Sequence, residues 1–221
     1  GFNMPYEWPF DDVSETGVDR GHRMQVDDVE TLNSETGELT VEYWLQPINL
    51  WAGMVIGRDD GTADNSLYRS GIDIREVDGV KQNVIYYEIF GEGNGGKRVV
   101  TSAQSVAPSA KWTHVAFTFG KGLRRLYVNG ELADEVAVTG KLRNGKTPLT
   151  IAARPDQSEW FAGIVDEAAV YHRVLNEEDF RLRIAAASGQ LYEQRQLLPE
   201  LQAWTAYCQA LFGSNRFLYA E

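Results

Sequence analysis

Cysteine is nearly missing from this chain. Its 221 residues contain one, Cys208, which excludes an intrachain disulfide and a cysteine-rich zinc site. Histidine is almost as scarce, with three scattered residues, so a histidine-built catalytic or metal centre is not expected. No run reaches the ~18–20 apolar residues of a membrane-spanning helix. Basic charge is also short: 21 Lys plus Arg against 32 Asp plus Glu give a net charge of -11 and a pI of about 4.8. That deficit speaks against nucleic acid, whose partners carry a basic footprint, and against docking on anionic lipid.

The shortage of bases is local. Residues 1–80 hold 17 Asp or Glu and 5 Arg, whereas residues 81–221 hold 15 acids and 16 bases. An acidic stretch of this kind is either a solvated face or a source of oxygen ligands for a hard cation such as calcium. The chain is otherwise globular in make-up, 43% hydrophobic and 11% aromatic, and long enough for one large β domain.

After about 35 irregular, acid-rich residues the pattern becomes one of short β runs. Residues 39–46 alternate, with Val41, Tyr43 and Leu45 on one face and Glu42, Trp44 and Gln46 on the other, until Pro47 ends the run. Further runs are expected at 53–56, 68–74, 83–90, 99–102, 113–119, 123–128, 132–138, 149–152 and 164–171. Their spacing suits a sandwich or barrel, and no helical pattern intervenes to build a parallel sheet. Asn129-Gly130 supplies the two positive-φ residues of a type I′ hairpin turn. The glycine-rich stretch 90–96 lacks the Lys-Ser/Thr and the helix of a phosphate loop and reads as a strand connection.

The end of the chain reads as helical. Asn176 can cap a helix whose first turn carries Glu177, Glu178 and Asp179, where the helix dipole favours negative charge. A second helix is expected from about Pro199, with Leu201, Trp204, Cys208 and Leu211 forming an apolar stripe that needs a partner, another domain or the sandwich itself. Cys208 lies in that stripe and reads as a small buried apolar residue. These readings divide the chain into a sandwich over 1–188 and an amphipathic helical tail over 189–221.

Four stretches carry a resemblance. Residues 40–47 (TVEYWLQP), 112–119 (WTHVAFTF), 126–130 (LYVNG) and 161–178 (FAGIVDEAAVYHRVLNEE) are similar, in this order, to strand motifs of the laminin-G-like, concanavalin A-like jelly-roll family. The resemblance implies an all-β fold of two antiparallel sheets packed face to face. Residues 203–221 are similar to the C-terminal ends of large planctomycetal, cytochrome-linked surface proteins. Together with the start at Gly1, this leads us to expect a piece of a longer exported protein, placed outside the cell, in the periplasm or at the cell surface.

A jelly roll of this type can be a lectin, a hydrolase or a spacer. The glucanase relatives carry an E-x-D-x-x-E strand. Here Glu76-Val77-Asp78 is followed by Lys81, not an acid, and Asp166 and Glu167 are adjacent and so point to opposite faces. A hydrolase is therefore the least favoured reading. A non-catalytic carbohydrate-binding or adhesion module leads, with a structural or protein-interaction domain as the alternative; the expected partner is a glycan or a protein.

Sugar sites stack pyranose rings on aromatic faces. Trp51 and Trp160, in loop-like stretches, and Tyr68, Tyr86 and Tyr87 are the candidates. For the tyrosines a core position is the stronger reading, and the family motifs place Trp44 and Trp112 in the core. His114 reads as structural. Asp166 shares an apolar row with Ile164, Ala168 and Val170, and a buried carboxylate must be paired or bind a cation. Two readings stand: hydrogen bonds or an arginine, or calcium with Asp27 and Asp28 as co-ligands, the family's structural calcium being the precedent. The acidic loop 58–66 lacks EF-hand spacing and reads as solvated.

Overall fold

A computed structural model of the chain describes residues 23–27, 30–48, 51–77, 79–90, 99–105 and 112–187. Two compact units divide the chain, Gly1–Glu177 and Glu178–Glu221. The first is a sandwich of eleven strands: β1 (Met24–Val26), β2 (Leu39–Pro47), β3 (Gly53–Arg58), β4 (Tyr68–Val77), β5 (Val80–Ile89), β6 (Val99–Ser105), β7 (Thr113–Gly120), β8 (Leu123–Val128), β9 (Glu131–Ala137), β10 (Leu149–Ile151) and β11 (Gly163–Tyr171). A six-stranded sheet has the order β1-β10-β3-β4-β5-β6, and a five-stranded sheet the order β11-β2-β7-β8-β9. The paired strands are antiparallel throughout. One helix, α1 (Glu177–Ala187), follows, with Phe180 buried.

The core follows from the alternation. Val41, Tyr43 and Leu45 of β2 are buried, as are Val115, Phe117 and Phe119 of β7 and Ile85, Tyr87 and Ile89 of β5. Phe117 lies at its centre, stacked on Tyr87 at 5.5 Å and tilted against Tyr68 at 6.1 Å. One hydrogen-bond chain ties the sheets together: Ser70 Oγ donates to Tyr86 O at 2.7 Å, and Tyr43 OH lies 2.7 Å from Ser70 Oγ. Since the serine proton is committed, the tyrosine donates.

Two hairpins show how local chemistry sets register. Asn129 and Gly130 take φ of 52° and 80°, as an I′ turn requires. The Asn129 side chain also accepts from His114 N at 3.0 Å while Asn129 N donates to His114 O at 2.8 Å, fastening the turn to β7. β4 and β5 run three residues further each way than the sequence pattern suggests, because Gly79 (φ 78°) turns the chain instead of ending the strand. Glu76 thereby faces Lys81 near a hairpin tip.

The stretch 58–66 is not simply solvated, since its first two residues, Arg58 and Asp59, and Ser66 are buried. Arg58 is buried and donates to Thr147 O, Leu32 O, Asn33 Oδ1 and Gly145 O at 2.7–2.9 Å, stitching two connections to the core edge. The helical tail expected at 189–221, with Cys208, lies outside the described residues, as does the glycine-rich stretch 91–96.

Candidate functional site at the tryptophan end of the sandwich

Strand register gathers the tryptophans. β2 ends at Pro47, opposite the start of β11 at Gly163, and Leu45 faces Thr113 at the start of β7. Trp112 immediately precedes Thr113 and so lies at the level of Gln46, which itself faces Ile164. The chain carrying Trp51 is pinned on both sides to the segment after Trp160. Ile48 N donates to Ala162 O at 3.1 Å, and Gly53 packs so closely that a Cβ there would lie 2.1 Å from Trp160 O. All four tryptophans among the described residues therefore belong to one end of the sandwich. Trp51 is 62% and Trp112 42% exposed, while Trp44 and Trp160 are half-buried. Ile48 and Ile164, also exposed, belong to the same end.

The loop that presents Trp160 is held by its own backbone. Arg154 N donates to Ser158 O and Gln157 N to Arg154 O, each at 3.0 Å, and Met54 N donates to Glu159 O at 2.8 Å. Ser158 donates through its hydroxyl and its backbone N–H to Asp156 Oδ1, which holds that carboxyl below the ordinary range. Ala152, Gln157 and Glu159 adopt φ of 72°, 63° and 51°, and Glu167 in β11 adopts 48°. These are four of the six non-glycine residues described with positive φ; the other two, Lys121 and Asn129, lie in hairpin turns. Left-handed backbone at a non-glycine residue costs about 1–3 kcal/mol and concentrates at binding and catalytic sites.

A charged network underlies the loop. Asp59, 1% exposed, accepts from Arg154 Nε at 2.7 Å, Arg69 Nη1 and Gly61 N at 2.9 Å, and Ser66 Oγ. Glu159 Oε1 lies 3.2 Å from Arg154 Nη1, and Glu88 Oε2 lies 2.9 Å from Arg69. Burial pushes the Asp59 carboxyl up, but the hydrogen bonds from Ser66, Arg154 and Gly61 and the charge of Arg69 outweigh it, so the group titrates low. An acid held in this way is a poor proton donor. On the outer face of β2, Trp44 meets His114 edge-on at 5.2 Å. His114 Nε2 lies 3.4 Å from Glu42 Oε2, and Tyr171 OH donates to Glu42 Oε1 at 2.8 Å. This buried chain seats Trp44, in keeping with a structural His114.

The candidate residues separate clearly. Trp51 and Trp160 come together at this end. Tyr68, Tyr86 and Tyr87 are buried, which withdraws their ring faces from a sugar. Trp112, expected in the core, is on the surface, because it precedes the first paired residue of β7 and points outward with Gln46. Asp166 is exposed, not buried: Ile164 and Asp166 face solvent while Val165 packs on the core. A β-bulge after Asp166 then shifts the alternation by one, so that Val170 returns to the core. The apolar row inferred from even numbers is thus broken in the middle.

The same observation weakens the fit to calcium. Asp166 Oδ1 accepts from Glu167 N at 2.8 Å, and Asp27 is exposed and accepts from Gln25 Nε2. Asp28 lies outside the described residues. Among the described residues no group of three or more His, Cys, Asp or Glu could hold a metal ion, and none of their helices is long and apolar enough to cross a membrane.

Against known proteins, residues 19–180 match the model of the family described as "Concanavalin A-like lectin/glucanases superfamily". The chain belongs to this superfamily. A curated relative, adhesion G-protein coupled receptor V1 of Danio rerio, is 23% identical over 145 residues, 62% of this chain but only 2% of the receptor's length. Solved structures of similar fold include a native heptameric SAP-like pentraxin from Limulus polyphemus, with TM-score 0.52 and 16% identity over 66% of this chain and 69% of that one. Domain 4 of the extracellular arabinanase AbnA from Geobacillus stearothermophilus, solved with arabinotriose, has TM-score 0.50 and 18% identity over 76% and 74%. The binding domain of Paraclostridial Mosquitocidal Protein 1 has TM-score 0.54 and 16% identity over 75% and 41%. At these identities the likeness of the superfamily member to its neighbours is one of fold.

Proposed function

We propose that the protein is a non-catalytic carbohydrate-binding or adhesion module of an exported protein. The observation that carries this reading is the tryptophan end: two exposed indoles, Trp51 and Trp112, beside half-buried Trp44 and Trp160, with left-handed backbone at Gln157 and Glu159 just before Trp160. Exposed tryptophan faces suit sugar C–H surfaces, and Gln46, Glu159 and Asp166 supply hydrogen-bonding groups at their edges. Two structural neighbours support it by description, one being a toxin's binding domain and the other an arabinanase domain solved with arabinotriose.

A protein ligand on the same face is the second reading, favoured by the exposed aliphatic side chains of Ile48 and Ile164. A structural calcium, with Asp166, Asp27 and Asp28 as the ligands, is a further part of this reading; a melting temperature lowered by EDTA and restored by calcium tests it. Screening the full chain and Trp51→Ala and Trp112→Ala against an array of glycans tests the main reading. Binding that falls at least tenfold in both variants, with unchanged circular dichroism, supports it. Binding to no glycan, with calcium present, overturns it in favour of the protein ligand.

A further inference from the structure

We infer that Asp166 selects the ligand at the tryptophan end, accepting hydrogen bonds from the hydroxyls of a neutral sugar and turning away sugars that carry carboxylates. The inference rests on the sugar-binding reading. β11 pairs with β2 so that Asp166 stands directly opposite Trp44 and Ile164 opposite Gln46. Directly opposed side chains share a sheet face with Cβ atoms about 4.5–5.5 Å apart. Trp44 is half-buried and flanked on this face by His114 from β7, which it meets edge-on, and by the exposed Asp166 from β11. A sugar ring lying on this face brings its rim hydroxyls to the carboxylate.

The backbone is shaped to hold that carboxylate still. Directly after Asp166, Glu167 and Ala168 stand against one residue of β2, and Glu167 is left-handed at φ 48°. Bulges of this kind re-aim side chains and are common beside functional sites. The Glu167 N–H produced by this turn binds Asp166 Oδ1 at 2.8 Å, and among the described residues no protein group binds Oδ2. One oxygen thus fixes the carboxylate and the other is presented outward, an acceptor with its orientation already set.

Charge gives the specificity its sign. Glu159, whose backbone O holds Met54 N next to Trp160, and Glu167 lie close to Asp166 at this end, and Arg154 is already bound to Asp59 and Glu159. A carboxylated sugar would meet a like charge at the very atom that a neutral one bonds, and repulsion of the wrong ligand is as effective a device as attraction of the right one.

The test uses affinity gel electrophoresis of the full chain, at 0.3 M salt to screen its overall charge, in gels holding β-glucan, mannan or arabinan and the carboxymethyl derivative of each. The wild type is expected to be retarded by at least one neutral polymer, and at least tenfold less by its carboxymethyl form. Asp166→Ala should weaken the neutral interaction about tenfold, as loss of a hydrogen bond to a charged group implies. Asp166→Asn, which keeps an acceptor without the charge, should retain it within about threefold and narrow the gap to the carboxymethyl polymer. Because Asp166 is exposed, unchanged circular dichroism is expected in both. Equal or stronger binding of the carboxymethyl polymer by wild type, or Asp166→Ala indistinguishable from wild type while Trp112→Ala loses binding, overturns the inference and leaves the sugar reading standing. Retardation by no polymer overturns both.

Discussion

Asp59→Asn is the substitution for which the structure gives the clearest magnitude. Asp59 is 1% exposed and takes four donors, two of them guanidinium groups at 2.7 and 2.9 Å. An asparagine can still accept from Gly61 and Ser66 through its oxygen, but its amide nitrogen then turns against both Arg69 and Arg154, which share the other carboxylate oxygen. Removing one partner of a buried ion pair costs about 3–5 kcal/mol, mainly through the charge left behind. Here Glu88 and Glu159 remain to accompany the two arginines, which brings the cost below that range, to about 2–3 kcal/mol. For a domain of this size that is a fall in melting temperature of about 5–10 °C. Glu159→Gln removes a carboxylate that is 34% exposed on the same arginine, and so should cost under about 1 kcal/mol. Urea and thermal unfolding at pH 7, followed by tryptophan fluorescence and far-ultraviolet circular dichroism, measure both. A cost below 1 kcal/mol for Asp59→Asn, or one equalled by Glu159→Gln, would refute the view that Asp59 is the buried centre of this network. The linked pH dependence has a definite sign. The folded carboxyl titrates below its unfolded value, so its contribution is complete above the unfolded pKa of about 3.9 and disappears as pH falls through the folded one.

The buried phenols make the opposite prediction at high pH. Burial raises Tyr43, Tyr68 and Tyr87, so their stabilisation is full below about pH 10 and lost as pH climbs towards the folded values; phenolate absorbance at 295 nm should rise together with loss of near-ultraviolet dichroism. Gly53→Ala should push the Trp160 backbone away and weaken glycan retardation at least as much as stability, because the new Cβ would lie 2.1 Å from Trp160 O. Asn129→Ala should cost about 1–2 kcal/mol in urea titrations, through the left-handed position it must still occupy and the lost bond from His114 N. Asn129→Gly should recover the part that is due to φ.

The strands were readable because their physics is local. Alternation in Leu39–Pro47, the Asn-Gly turn and the acidic first turn of α1 each act over a few residues. β1 escaped notice because Met24, Gln25 and Val26 are all exposed and leave no burial pattern. The site was legible only in part. Trp51 and Trp160 show themselves by the loop character of their surroundings, but Trp112 sits in a strand motif, and its outward position emerges only from the Leu45–Thr113 pairing. Asp166 was misread because counting by twos assumes an unbroken strand, and a bulge made by Glu167 has no glycine to announce it. The partners of Asp59 come from Ser66, Arg69 and Arg154, the last being 95 residues away, a distance that no sequence periodicity spans.

The pairing of β2 with β11 also governs when this domain can come into being. β2 is an interior strand whose one neighbour, β11, is made more than a hundred residues later, and Thr40 is capped by Arg173 O and Leu175 N at separations of 133 and 135. At about 5–20 residues per second, a ribosome needs several seconds or more to deliver that partner. Through this interval a strand carrying Val41, Tyr43, Trp44 and Leu45 has an open edge. Folding of the sandwich therefore waits for β11 and is dominated by distant contacts, which makes it slow. A nascent or translocating chain will need to be kept apart from its neighbours until the last strand emerges.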